Sequence, residues 1–267
     1  MPTISLGASE PHHARQVAEG FGADAALYDR TRPRYPGALI ERIVASSPGA
    51  DLLDVGSGTG IEARQFQEAG CRVLGVEPDE RMAAFARRTG VETEVAAFET
   101  WDRAGRTFDA VVSGQAWHWV DPVAGAARAA EALRPGGRLA LFWNAFQPPA
   151  DFAEACAEVY RRVLPELPIF SRTVPDVETY TALLDRAEDG IRKADAFDEP
   201  ERWRFDWERR YTRDEWLEQV PTFGGHNQLP PGKLRDVLAG VGAAVDALGG
   251  AFTMGYAAVV VTARRRP

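Results

Sequence analysis

Short apolar runs and longer amphipathic stretches take turns along the first half of this chain, the pattern of strands and helices in succession. Runs at Leu52–Val55, Arg72–Val76, Val91–Ala97, Phe108–Ser113 and Arg138–Trp143 predict five strands. Ile61–Ala69, a segment from Asp79 to about Arg88, and Val123–Leu133 predict the helices between them. Asp79 has the chemistry of an N-cap and Gly90 that of a stop, while Pro135-Gly136-Gly137 would close the third helix. Such alternation argues for a parallel sheet with crossover helices.

On either side of this series the pattern changes. Residues 1–11 read as a disordered leader and His12 to Leu27 as a helix, followed by the aromatic, arginine and proline segment Tyr28 to Pro36. Its prolines disfavour helix just before each of them, and helix resumes from Leu39 to Ala45. After strand five, residues 146–200 are rich in proline, with helical segments at Asp151–Leu164 and Asp176–Ala187. Trp203-Arg204-Phe205-Asp206-Trp207 alternates aromatic and charged side chains, as a half-buried strand does. Thr212 and Glu215 form a capping-box pair for a helix through Val220. Leu234, Val237, Leu238, Val241, Val245 and Leu248 mark an amphipathic helix, and Phe252 to Ala263 a last apolar strand. The expected organisation is a core over 1–145, a helical insertion over 146–201 and a completing segment over 202–267.

The chemistry concentrates at Asp54-Val55-Gly56-Ser57-Gly58-Thr59-Gly60, where a strand turns tightly into a helix. Glycines at alternate positions let a ligand lie against bare backbone. The spacing is neither the dinucleotide G-x-G-x-x-G nor a P-loop, since no Lys-Ser/Thr follows. The next strand ends in Glu77, an acid placed to accept both hydroxyls of a ribose. Strand, glycine turn, helix, strand and acid together resemble motif I and its successor in class I S-adenosylmethionine-dependent methyltransferases. The wording is close to the type 11 group that includes trans-aconitate methyltransferase-like enzymes.

That resemblance covers most of the chain and is specific over about residues 28–144. It implies a Rossmann-like, seven-stranded, mostly parallel sheet with an antiparallel last strand, helices on both faces and a helical cap insertion. The implied cofactor is S-adenosyl-L-methionine, giving S-adenosyl-L-homocysteine. Asp54, Gly56, Ser57, Gly58, Thr59, Gly60, Glu77 and Pro78 would hold it. Tyr28 or Arg32 would close over its methionine end, and Met82, Ala97 and Phe98 would face the adenosine. Gln115 and Ala116 leave strand four toward the same crevice, since ligands of open α/β sheets sit at the carboxyl ends of the strands. Trp117, His118, Trp143, Asn144 and His226 are the acceptor-site candidates. His118 is the first candidate for a general base and His226 the second; a structural reading of His118 has equal standing.

Composition narrows the alternatives. Hydrophobic residues make up 45% of the 267, ordinary for a globular protein with a full core. No stretch reaches the roughly 18 uninterrupted apolar residues of a membrane span, and the N-terminus lacks the order of a signal peptide. A net charge of −8 disfavours nucleic acid, which demands a basic face. Cys71 and Cys156 make no disulfide framework, and no His/acid cluster has metal-ligand spacing. The expectation is a cytoplasmic, metal-independent monomer or homodimer acting on a small molecule, with aromatic residues suggesting a planar or apolar acceptor. A sister reading keeps the cofactor but transfers no methyl, as a cyclase-like or regulatory protein. A nicotinamide-dependent oxidoreductase and a macromolecule methyltransferase are weaker.

Overall fold

A computed structural model describes residues 20–165 and 177–267. The expected leader, the beginning of the helix expected from His12, and the prolines at 168 and 175 lie outside the described residues. The described chain opens with a 3-10 turn, Gly20–Asp24, and then α1 (Ala25–Thr31), α2 (Gly37–Ser46), β1 (Asp51–Val55), α3 (Ile61–Glu68), β2 (Arg72–Glu77), α4 (Glu80–Arg88), β3 (Glu92–Val95), β4 (Phe108–Gly114), α5 (Pro122–Ala132) and β5 (Leu133–Gln147). Next come α6 (Ala150–Val163), α7 (Val177–Lys193), β6 (Glu201–Thr212), α8 (Arg213–Gln219), α9 (Pro231–Ala247) and β7 (Ala251–Arg264).

The seven strands form one sheet in the order β3-β2-β1-β4-β5-β7-β6. Pairs β1–β2, β1–β4, β2–β3 and β4–β5 are parallel. β7 opposes β5: Gly136 N–H donates to the Arg265 carbonyl, Arg265 N–H to that of Gly137, and Thr262 Oγ1 to that of Leu139. This is the expected sheet, and its order reverses beside β1, which puts the glycine turn at a switch point.

The N-terminal helical segment is broken where one continuous helix was expected. Asp24 accepts from Leu27 N–H at 2.9 Å and starts a new helix, which carries Tyr28 to Thr31 inside it. The larger difference lies at Pro135-Gly136-Gly137, which sits inside β5 instead of separating a helix from a strand. Phe108 pairs with Leu133 and Ala110 with Arg138, so residues 134–137 all stand opposite Asp109. This is a bulge, the place where a strand tolerates proline and a left-handed glycine (Gly136, φ 77°). Arg134 uses it to reach the acids at the strands' lower ends, Asp109 at 2.7 Å and Asp51 at 3.1 Å.

Other boundaries follow the chemistry that predicted them. Asp79 caps α4 by accepting from Arg81 N–H, and Thr212 with Glu215 makes the full capping box of α8. Val237, Val241 and Val245 recur at helical spacing on α9 and are buried with Phe146, Phe152, Tyr211, Trp216 and Phe252 in one apolar cluster. Phe152 and Phe252 stack at 4.1 Å between centroids.

The chain forms two compact units, each discontinuous in sequence. Of the described residues, the first takes 20–32, 145–165, 177–180 and 206–257, and the second 33–144, 181–205 and 258–267, so the described part of the stretch expected as one insertion, 146–201, has residues in both. In the second unit α7 comes so close to the start of α5 that a Cβ on Gly190 would lie 2.3 Å from the Pro122 carbonyl oxygen. Alanine in a helix interior normally gains about 1 kcal/mol over glycine. Here the clash wins, at a typical overpacking cost of about 1–3 kcal/mol. Gly190→Ala is thus expected to melt below the wild type. Gly37→Ala, whose Cβ would meet nothing within 4 Å, should melt at or above it. A Gly190→Ala protein that melts higher in thermal denaturation would refute this packing.

Candidate functional site

At the end of β1 the backbone makes three left-handed steps, at Gly56, Gly58 and Gly60. Gly56 is dictated by close approach, since a Cβ there would lie 2.4 Å from that of Ala116. Gly58, at φ 53°, is different: a Cβ would meet nothing, so its free side borders open space. The loop is pinned from behind. Gly56 N–H donates to Val76 O at 2.8 Å, Gly60 N–H to Ser57 O at 2.7 Å, and Gly58 N–H to Glu77 Oε2 at 2.9 Å.

Around this loop stand three buried carboxyls. Asp54 is wholly buried and neither of its carboxylate oxygens has a hydrogen-bond partner. Glu77 holds two backbone amides, Gly58 through Oε2 and Asp79 through Oε1, each at 2.9 Å, leaving a lone pair on each oxygen for a further donor. Glu62, in the first turn of α3, is buried and accepts from Gly114 N–H. Burial pushes all three carboxyls up: Asp54 well above its ordinary value, with the Glu62 and Glu77 charges adding to the effect; Glu62 above the usual carboxylate range; and Glu77 to about 7 despite its two amides. Ser57 Oγ and Thr59 Oγ1 are buried and unpartnered as well. Unmade hydrogen bonds on buried groups each cost about 1–3 kcal/mol, so this concentration of them at one turn marks a place built to meet a ligand's polar groups.

The remaining candidates of the second unit lie on or after β2, β3, β4 and β5, with Met82 inside α4. Met82 and Phe98 are buried, Pro78 is exposed and Ala97 half-buried. Phe98 lies between Trp101 and Trp117, at 6.4 and 6.1 Å between centroids. Gln115 adopts φ 57°, rare for a non-glycine residue and a mark of functional strain. Its N–H reaches Phe142 O and its amide nitrogen reaches Asn144 O, but Oε1 is buried without a partner. Ala116 is half-buried, and Asn144 donates to Arg34 O at 3.3 Å.

Of the two readings of His118, base and structural, its surroundings favour the structural one. It is buried, and Trp143 Nε1–H donates to its Nδ1 at 3.3 Å, so the neutral ring carries its proton on Nε2. Burial, with the Arg186 charge behind it, lowers its pKa to about 3. A ring that burial keeps neutral and that accepts from Trp143 fits a part in holding Trp143 in place. In the first unit, His226 Nε2 meets Tyr160 Oη at 2.9 Å, and burial lowers its pKa to about 4. Tyr28 and Arg32 belong to that unit too, with the Arg32 guanidinium 4.7 Å from the Tyr28 ring centroid. Sequence reasoning missed Glu62, although an acid in the first turn after a glycine loop was a readable signal.

Residues 53–141 match the methyltransferase-domain family profile. Over 133 residues the chain is 37% identical to an uncharacterized methyltransferase of Mycobacterium tuberculosis, covering 49% of this chain and 54% of that one. The chain thus spans about half the length of the relatives it matches in sequence. Its fold is shared with a chain from Anaeromyxobacter dehalogenans provisionally described as a type II methyltransferase (TM-score 0.62, 23% identity, covering 88% of this chain and 99% of that one). It is shared also with phosphoethanolamine N-methyltransferase 2 of Haemonchus contortus, solved with S-adenosyl-L-methionine (TM-score 0.52, 16% identity, 98% and 61% covered). Residues 53–141 thus carry the likeness of a methyltransferase domain, and the fold is the one that methyltransferase structures share.

The buried acids also carry a pH signature. In an unfolded chain Glu62 and Glu77 would lose their protons near 4.5, but folded they keep them to higher pH. The buried histidines act in the opposite sense, but only below their unfolded value of 6.5. Above pH 6.5 the acids alone remain, and the folded state binds more protons than the unfolded one. Stability of the ligand-free protein is therefore expected to fall as pH rises from 6.5 to 8, by about 1 kcal/mol per pH unit for each titrating acid. Glu62→Gln should flatten that slope in urea unfolding at stepped pH. A wild-type stability that climbs through this window would contradict the placement of the acids.

Proposed function

We propose that this protein transfers a methyl group from S-adenosyl-L-methionine to a small-molecule acceptor. The observation that carries the reading is Asp54, a fully buried carboxylate with both oxygens unpartnered beside a bare-backbone turn. An acid so placed calls for a cation that can donate hydrogen bonds, and the methionine ammonium is one. Glu62 and Glu77 stand close enough that their charges add to the upward shift of Asp54.

In this reading Asp54, Ser57, Thr59 and the open side of Gly58 hold the amino-acid end, and the spare lone pairs of Glu77 receive the ribose hydroxyls. Met82, Ala97 and Phe98 take the adenine. The cofactor supplies a methyl on a positively charged sulfur, already strongly electrophilic. What the chain must add is alignment and exclusion of water, which can account for about 7–11 kcal/mol of barrier in favourable cases. With His118 held neutral by Trp143, no general base is assigned to it, and the reaction class is one that positioning can drive. We extend the reading to a protein that works in the cytoplasm as a monomer or homodimer, without nucleic acid. Among the described residues no helix is long and apolar enough to cross a membrane, and none of the His, Cys, Asp and Glu residues group as a metal site.

Calorimetric titration tests this. Wild type should bind S-adenosyl-L-methionine and its homocysteine product but not NAD. Asp54→Asn should lose roughly 10–100-fold in affinity, the value of a charge-assisted hydrogen bond. Gly58→Asn, which keeps a left-handed backbone but fills the open space, should fold and fail to bind. Binding of NAD, or unchanged affinity in both variants, would overturn the assignment.

A further inference from the structure

We propose that β6 is a self-pairing edge: two copies of this chain join antiparallel along Glu201–Arg209, with Phe205 on the two-fold axis. The pairing goes beyond the methyl-transfer reading and does not depend on it. Everything it uses lies on one unbroken strand.

β6 stands last in the strand order, so among the described residues β7 is its one neighbouring strand and its outer edge has none against it. Such an edge is a template for another strand, and proteins usually guard it with shortness, lysine, proline or a bulge. β6 has none of these. It runs for 12 residues, contains no proline or lysine, and includes no left-handed residue. Its side chains alternate strictly. The odd positions from Trp203 to Tyr211 are buried or half-buried, while Arg202, Arg204, Asp206, Glu208 and Arg210 are exposed on the other face.

Residues directly opposite in an antiparallel pair point to the same face. Two identical strands therefore keep both faces aligned only when the two-fold axis falls on a residue, since a slip of one position turns every side chain over. With the axis on Phe205, Arg204 faces Asp206, Arg202 faces Glu208 and Glu201 faces Arg209, each twice by symmetry. On the inward face Trp203 meets Trp207. No like charges meet.

Neighbouring axes lack this property. On Arg204 two arginines oppose each other, and on Asp206 two aspartates do; on Trp207, Asp206 faces Glu208. Opposite charges across a ladder stabilise it and like charges destabilise it, so charge selects the Phe205 register. Exposed ion pairs are individually weak, and the backbone hydrogen bonds along the edge hold what the charges select. Arg202 also meets Asp185 and Glu188 of its own chain. The test accordingly falls on the pairs nearest the axis.

Sedimentation velocity of the full chain over a concentration series, at low and at high salt, is the experiment. Wild type should show a monomer–dimer equilibrium whose dissociation constant rises with salt, because exposed charges are screened. Arg204→Asp sets acid against acid, and Asp206→Arg sets base against base. Each should weaken the dimer at least about tenfold, since two attractive pairs become two repulsive ones. The double variant Arg204→Asp/Asp206→Arg restores every opposition and should recover the wild-type constant, which general damage to the fold would not allow. A wild type that stays monomeric at every concentration, a dimer indifferent to either single change, or a double variant that remains as weak as the single ones would overturn the proposal.

Discussion

Three carboxyl groups leave water where β1 and β2 end, and the surrounding structure is built to tolerate them. Two backbone amides hold Glu77, the amide of Gly114 reaches Glu62, and Asp54 is left with nothing. A fold selected for stability alone would place apolar side chains there, because like charges in low dielectric repel strongly. The arrangement makes sense as a socket for a cation. Gly56 belongs to the same constraint: only a residue without a side chain lets Ala116 close the socket's wall at the distance observed.

How much of this was readable from the chain depends on the range of the interaction. The glycine turn, the flanking strands, Asp79 as a cap and the Thr212–Glu215 box are encoded within a few residues, and they stand in the structure as the pattern implied. The Pro135-Gly136-Gly137 run misled because the same residues that stop a helix also make a bulge, and only the register against β4 decides between them. His118 stayed open between two readings for a related reason. Its position after β4 was legible, whereas the indole of Trp143 that fixes its protonation comes from another strand.

Gln219 had no local signal at all. An amide at the end of an amphipathic helix reads as surface, and its burial is set by tertiary packing.

The central claim, that the buried acids are a cation socket, is tested most directly by calorimetry of S-adenosyl-L-methionine binding at pH 7.5 in buffers of differing ionisation enthalpy. A positively charged ligand arriving among carboxyls that retain protons must drive protons out. The account predicts net proton release on binding, smaller for S-adenosyl-L-homocysteine, which lacks the sulfonium charge, and reduced in Glu62→Gln. Binding with no proton exchange, equal for both nucleosides, would contradict it.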